Sequence, residues 1–355
     1  MHDQFVGTKA VDEKHQFDTA KLENYLRQQI PGFQGPLTVE QFSGGQSNPT
    51  FLLASPSGKY VLRRKPPGKL LPSAHAVDRE YRVISALNQT DVPVAQAFCL
   101  CEDDSILGTA FYVMDFVDGR VMWDGTLPDI SSEERNQIYR ELNRVIAALH
   151  SVDHVAVGLE DYGRPGNYIE RQIARWTKQY RASETEHIES MENLIDWLPK
   201  NIPTNEDVSI VHGDYRLDNV IFHKTEPRIL AVLDWELSTL GHPVADFAYH
   251  CMYWRLTPGE FRGINGVDHR ATGIPEEQAY VESYCKQTGR DVIKDWDFYI
   301  AYNMFRLAGI LQGIMGRVKD GTAASAHAEE QGKRAKPMAE AGWRQVERIL
   351  RGAGS

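Results

Sequence analysis

Behind Asp18 the apolar residues Leu22, Leu26 and Ile30 fall four apart and Pro31-Gly32 follows, the pattern of a capped helix with one apolar face that stops at a turn. From Leu37 the texture changes. The runs Leu37–Phe42, Thr50–Ala54 and Lys59–Arg64 are short and rich in β-formers, and Ser43-Gly44-Gly45 and Pro56-Ser57-Gly58 separate them, which predicts antiparallel strands. Val77, Tyr81, Ile84 and Leu87 give a helical period over Ala74–Leu87, and Pro93–Leu100 and Thr109–Phe116 read as two further strands. Five strands and one helix make a compact first lobe, preceded by a polar stretch, His2–Lys14, expected to be loose at the terminus.

After Asp118-Gly119 the period becomes helical. Ser131-Ser132-Glu133-Glu134 opens a helix whose apolar stripe, Ile138, Leu142, Val145, Ile146 and Leu149, ends at His150. Further helices are expected at Asn167–Thr185, Ser190–Leu198, Val244–Tyr253, Glu276–Thr288, Asp295–Gly313 and Met338–Leu350. Two apolar segments interrupt them, Val208–Val211 and Leu230–Asp234, and each runs straight into charged residues. The reading is an α+β chain of two lobes: an extension and leading helix at 1–30, a small antiparallel β-rich lobe with one helix at 31–117, and a larger, mostly helical lobe at 118–355.

Composition narrows the classes. With 355 residues, 42% hydrophobic and 25% charged, the chain is neither fibrous nor disordered, and its length suits two modest cores. A net charge of −10 has the wrong sign for a protein that would bind by neutralising a phosphodiester backbone, so nucleic acid is not expected as a partner. The acidity is concentrated at 151–260, where 18 acids face 10 bases. Four cysteines without a C-x-x-C pair and no secretory pattern at Met1–Gln29 fit a reduced, cytoplasmic setting. No apolar run approaches the roughly 20 residues of a membrane span, so a soluble protein with no membrane partner is expected.

The chemistry concentrates in Val211-His212-Gly213-Asp214-Tyr215-Arg216-Leu217-Asp218-Asn219, followed by Val232-Leu233-Asp234-Trp235-Glu236. Phosphoryl transfer from a nucleotide needs one carboxylate to orient and deprotonate the acceptor hydroxyl, and oxygen ligands to hold Mg²⁺ on the phosphates. Asp214 has the first role by type. Asn219, five residues on as in a kinase catalytic loop, and Asp234, 15 further at the end of an apolar strand, have the second. Glu236 stands at a D-x-E position, either a metal contact or an exposed strand-end acid. His212 packs and hydrogen-bonds rather than reacts in this reading, and Asp246, after Gly241-His242-Pro243, anchors the loop.

With H-G-D-x-x-x-x-N and D-x-E in place, the chain resembles the aminoglycoside phosphotransferase and choline kinase-like superfamily, which has a protein-kinase-like bilobal fold. The segments F-S-G-G-Q-S-N-P-T, V-L-R-R-K-P-P-G, L-P-S-A-H-A-V-D-R-E and L-D-W-E-L-S-T-L-G-H-P-V-A-D-F look like the phosphotransferase module that some proteins carry fused to acyl-CoA dehydrogenases. The resemblance runs over about Phe42–Arg317 and implies ATP and Mg²⁺ as cofactors. In such a frame the loop of Gly44, Gly45, Ser47 and Asn48 closes over the phosphates, although it lacks the G-x-G-x-x-G of protein kinases. Alternation along Tyr60-Val61-Leu62-Arg63 places Val61 against the adenine and Arg63 on phosphate, with Lys65 the alternative cation if the register slips. Glu80 pairs with that cation, and Met114, Asp115 and Phe116 form the hinge that reads the adenine edge.

The function expected is an ATP- and Mg²⁺-dependent phosphotransferase for the hydroxyl of a small molecule. The module resemblance implies a hydroxyacyl-CoA or hydroxy acid, for which Arg306 is either a candidate cation or a buried structural arginine paired to an acid. The alternatives are an aminoglycoside-type antibiotic kinase, which the acidic middle would suit, and a non-catalytic nucleotide-binding scaffold. ATP and GTP are not distinguished by these residues.

Overall fold

The computed structural model describes residues 7–43, 48–67, 75–205, 207–322 and 327–352. They pack as two compact units that are not contiguous in the chain. The first takes Met1–Trp123, Val155–Leu159 and Asp218–Ser238, and the second takes the rest. Where the sequence predicts one boundary at 117/118, packing returns two later segments to the first unit, and one of them carries the hairpin beyond Asp218.

The first unit is built on six antiparallel strands: β1 (Thr8–Lys9), β2 (Thr38–Phe42), β3 (Thr50–Ser55), β4 (Gly58–Arg64), β5 (Ala97–Cys101) and β6 (Phe111–Asp115), in the order β1-β2-β3-β4-β6-β5. β1 falls inside the stretch expected to be loose. Two residues of it pair with Gln41 and Phe42, which local hydrophobic pattern alone does not encode. Helix α1 (Thr19–Gln29) is capped as its sequence predicts, Asp18 accepting from the Ala20 and Lys21 amides, and it lays Leu22 and Leu26 on the core formed by Phe51, Leu53, Leu62, Phe111 and Val113. Cys99 and Cys101 are buried free thiols on one face of β5, and burial pushes Cys99 up to about 12, so it is an inert core residue.

Helix α2 (Val77–Leu87) presents Val77, Val83, Ile84 and Leu87 inward, and with them one acid, Glu80, only 1% exposed. The hairpin of Val220–Phe222 and Ile229–Val232 completes this unit, tied by the Arg120 and Phe222 backbones and by the Val232 amide to the Pro93 carbonyl.

In the second unit, α3 (Ser132–His150), α4 (Tyr168–Ser183), α5 (Glu189–Trp197), α6 (Pro243–Cys251), α7 (Glu277–Thr288), α8 (Trp296–Lys319) and α9 (Ala335–Leu350) surround a two-stranded ladder of Ser209–Val211 and Thr239–Gly241. α8 packs on α4, α6 and α9. It outruns the end expected at Gly313. The missing side chain at Gly316 lets it approach α4, where an added Cβ would lie 3.0 Å from that of Ser183, and Gln312 donates to the Ser183 carbonyl at 2.7 Å. Those tertiary contacts outweigh the helix cost of the glycines, roughly 1 kcal/mol each. Among the described residues no helix is long and apolar enough to cross a membrane.

Two buried histidines of this unit have a pH consequence. His250 meets the Tyr280 hydroxyl at 2.8 Å, His242 meets the Asn205 carbonyl at 3.1 Å, and burial pushes each down to about 4. Below the ordinary value near 6.5 the unfolded chain takes up protons that the folded chain refuses, so stability is full above that pH and falls as pH drops towards about 4. Unfolding free energies from denaturant titrations across this window are expected to fall by about 1.4 kcal/mol per pH unit for each histidine. His250→Gln should make the slope shallower; an unchanged slope would show that His250 is not held neutral.

Candidate active site

In the first unit β4 and β6 run in a register that sets Val61 beside Met114 and Arg63 beside Tyr112. Alternation then carries the Arg63 side chain to α2. Its Nε lies 3.0 Å from Glu80 Oε2, and its Nη2 lies 3.5 Å from Asp234 Oδ1. Glu80 also accepts from Asn48 Nδ2 at 2.8 Å and from the Tyr112 hydroxyl at 3.0 Å. Burial raises the Glu80 carboxyl and these donors oppose it, while at Arg63 burial lowers the guanidinium but is outweighed by Glu80, Tyr112, Asp234 and Glu236 acting together, which raise it. Lys65, the alternative cation, turns instead to Asp78 at 3.4 Å.

Asn48 is 1% exposed and its amide is spent on Glu80 and His75, so it steadies the ion pair from behind. Gly44, Gly45 and Ser47 lie outside the described residues. At the hinge, the Asp115 amide donates to Gln96 and the Phe116 amide to Lys59, so both donors are used inside the unit. Val61 and Met114 remain as paired apolar surface.

Asn219 and Asp234 meet at the open end of the hairpin. The register pairs Val220 with Val232, and the Leu233 amide donates to the Asn219 carbonyl at 2.8 Å. Asp234 then takes a left-handed backbone, φ 63°, a conformation that Asp tolerates better than most residues, and the chain turns into the short helix Trp235–Leu237. The Trp235 indole donates back to the Val232 carbonyl and fixes the turn. Glu236 sits on that turn and is exposed.

In the second unit the buried strand Ser209–Val211 delivers the H-G-D turn. Gly213 has φ 83°, which a side chain would resist, and His212, fully buried, accepts the Asp214 amide on Nδ1 at 3.1 Å. Asp246, in the first turn of α6, accepts from the His212 and Gly213 amides, each at 2.8 Å, and faces His150 Nε2 at 3.2 Å. Asn303 of α8 ties α6 from outside by donating to the Ala245 carbonyl. Arg306, one helical turn on, donates to the Gly213 carbonyl at 2.5 Å and lies over the Tyr249 and Trp176 rings. The Asp214 carboxylate accepts the Tyr249 hydroxyl at 2.6 Å and pairs with Arg216 at 3.1 Å.

Tyr249, Arg216 and His150 did not stand out in the sequence. Tyr249 lies three residues beyond Asp246, on the same helical face, and that spacing was the available signal.

An antiparallel β-sheet unit that carries an ion pair from strand to helix, joined in one chain to a helical unit with a clamped H-G-D turn, defines a kinase-like phosphotransferase. A model of the phosphotransferase enzyme family matches residues 38–290, and the chain belongs to that family. It is similar to acyl-CoA dehydrogenase family member 10 of Mus musculus, with 44% identity over 97% of this chain and 32% of the relative. It is also similar to the crystal structure of a candidate aminoglycoside phosphotransferase from Ralstonia eutropha JMP134, with 60% identity, TM-score 0.88, and coverage of 94% of this chain and 99% of that one. Choline kinase from Cryptosporidium parvum Iowa II shares the fold at 14% identity and TM-score 0.60, covering 95% of this chain and 98% of that one. The chain spans from about a third to under half of the curated relatives it matches, between 32% and 45% of their length.

Proposed function

We propose that the chain transfers the terminal phosphoryl group of ATP to the hydroxyl of a hydroxyacyl-CoA or a related hydroxy acid. The observation that carries the phosphotransfer reading is the setting of Asp214: a carboxylate on a turn clamped by Asp246 and Arg306, half-buried, and oriented by Tyr249 and Arg216. Such a group can accept the proton of an acceptor hydroxyl placed within hydrogen-bond reach. Arg63, held between Glu80 and Asp234, grips phosphate oxygens, and Val61 with Met114 gives apolar contact to the base.

The side-chain oxygens of Asn219 and Asp234, with Glu236 on the next turn, are a hard-oxygen set that suits Mg²⁺. Bound there, the ion would neutralise phosphate charge as it builds in the transition state. The work of the protein is to orient and screen rather than to form a covalent bond.

The acyl acceptor is supported by relatives such as acyl-CoA dehydrogenase family member 10, of which this chain matches a part. An aminoglycoside acceptor is the second reading, favoured by the description of the Ralstonia protein. Purified chain with Mg·ATP and a panel of hydroxyacyl-CoAs, free hydroxy acids, choline-like alcohols and aminoglycosides separates them. ATP consumption is expected with the acyl compounds. Turnover only on aminoglycosides would replace the acceptor, and Mg·ATP binding with no turnover on any class would return the protein to a scaffold.

A further inference from the structure

We propose that Arg63 braces the Asp234 carboxylate and keeps divalent-ion binding there weak until nucleotide phosphate draws the guanidinium away, so that phosphate and ion bind cooperatively through this one side chain. The proposal rests on the phosphotransferase reading and adds how that site is loaded.

The starting observation is that one guanidinium serves two carboxylates of the first unit. Arg63 Nη2 donates to Glu80 Oε1 at 3.4 Å and lies 3.5 Å from Asp234 Oδ1, while Nε is 3.0 Å from Glu80 Oε2. The Nε contact is close but poorly aligned, and among the described residues that N–H makes no hydrogen bond. An arginine committed to a single acid makes two parallel hydrogen bonds of about 2.7–2.9 Å. Arg63 is instead shared.

The two acids differ in what else holds them. The Glu80 side chain is 1% exposed, and it keeps Asn48 Nδ2 at 2.8 Å and the Tyr112 hydroxyl at 3.0 Å whichever way the guanidinium tilts. The Asp234 side chain is 37% exposed, and among the described residues its ion pair is with Arg63. Its backbone is pinned by the φ of 63° and by the Trp235 indole on the Val232 carbonyl. The carboxylate therefore stays, and the long arginine is the part that moves. Lys65, two residues along, is turned to Asp78 at 3.4 Å.

An ion ligated by Asp234 comes up against a guanidinium 3.5 Å from a carboxylate oxygen, and two cations on one acid repel. Phosphate reverses this, because its oxygens match the planar fork of the arginine and its negative charge serves both cations. By linkage, the factor that phosphate adds to ion affinity is the factor that the ion adds to phosphate affinity. The lysine that protein kinases carry in V-A-I-K would end one bond short of Nη2, the atom that reaches Asp234, and would settle on Glu80 as a point charge.

The test measures Mn²⁺ binding to the full chain by electron paramagnetic resonance, for wild type and Arg63→Lys, first without nucleotide and then saturated with ADP. The two side chains carry the same charge, so a difference reports the reach of the cation. Arg63→Lys is expected to bind Mn²⁺ about tenfold tighter without nucleotide, inside the range of about 5–150-fold usual for coupled sites, and the two proteins should bind it alike with ADP. Asp234→Asn should weaken Mn²⁺ binding in both. Equal or lower Mn²⁺ affinity of Arg63→Lys without nucleotide, a difference that persists with ADP, or an Asp234→Asn chain that binds Mn²⁺ as before would each overturn the proposal. Lysine keeps a cation against the buried Glu80, so the melting temperature should hold. Should the variant unfold, the ¹⁵N resonance of Arg63 Nε in the wild type is read instead: it is expected to shift on adding ADP with a chelator, and a resonance indifferent to ADP overturns the exchange. Turnover is read separately. The Mn²⁺ difference without ATP consumption on any acceptor would sink phosphotransfer and keep the brace, whereas turnover with no Mn²⁺ difference would do the reverse.

Discussion

Asp214→Asn is expected to lower kcat by about 10³-fold, the middle of the range that a positioned general base supplies. The substitution keeps the shape of the side chain and leaves an oxygen to accept the Tyr249 hydroxyl, so the clamp on the turn stays in place. The ion pair to Arg216 is lost, but both partners are partly exposed and such pairs contribute little, about 0–1 kcal/mol. What disappears is the capacity to take a proton. Steady-state ATP-dependent phosphorylation with the best acceptor of the panel measures kcat, and calorimetric titration with Mg·ATP checks that nucleotide affinity is retained. A variant that kept activity to within a few-fold would remove Asp214 from the role of base.

Asp246→Ala should instead act on the fold. It strips the acceptor from two buried amides, those of His212 and Gly213, and from the buried His150 ring. Removing one side of a buried charged network costs about 3–5 kcal/mol, against a total stability of about 5–15 kcal/mol for a typical protein, so the variant is expected to be marginal at physiological temperature. Asp246→Asn, which fills the same space and can still accept from the turn, should recover part of the loss.

The pH dependence offers a second readout. Burial by itself would raise the Asp246 carboxyl, but His150 and the amides of the turn outweigh it and hold the group below the ordinary carboxylate range. A depressed acid stabilises the fold above its unfolded value, near about 4, and this contribution is lost as pH falls further through the lowered folded value. Acid denaturation followed by circular dichroism should therefore show a steep limb below about pH 4 in the wild type that Asp246→Asn lacks. If Asp246→Ala unfolds at the same denaturant concentration as the wild type, the clamp is not what holds the H-G-D turn.

Much of this protein is legible in its chain. The period of Leu22, Leu26 and Ile30 behind Asp18 is a local property, and the helix it predicts forms with that residue as its cap. The same holds for the strands that end at Arg64 and Asp115, because alternation and glycine-rich turns act over a few residues. The H-G-D-x-x-x-x-N spacing also names its chemistry before any fold is known, since residue type and a short loop suffice to suggest a base and a metal ligand.

What the chain leaves open depends on partners far apart in sequence. Whether Arg63 or Lys65 meets Glu80 turns on strand register, and the pairing with β6 settles it geometrically. β1 becomes a strand only because β2 offers an edge, and α8 passes three glycines because α4 lies against them. That Asp246 clamps a turn 33 residues away and that Asn48 supports an ion pair rather than facing solvent are both properties of packing. Local pattern sets which backbone conformations are cheap, whereas the partner of a buried polar group is chosen only when distant segments exclude water from it together.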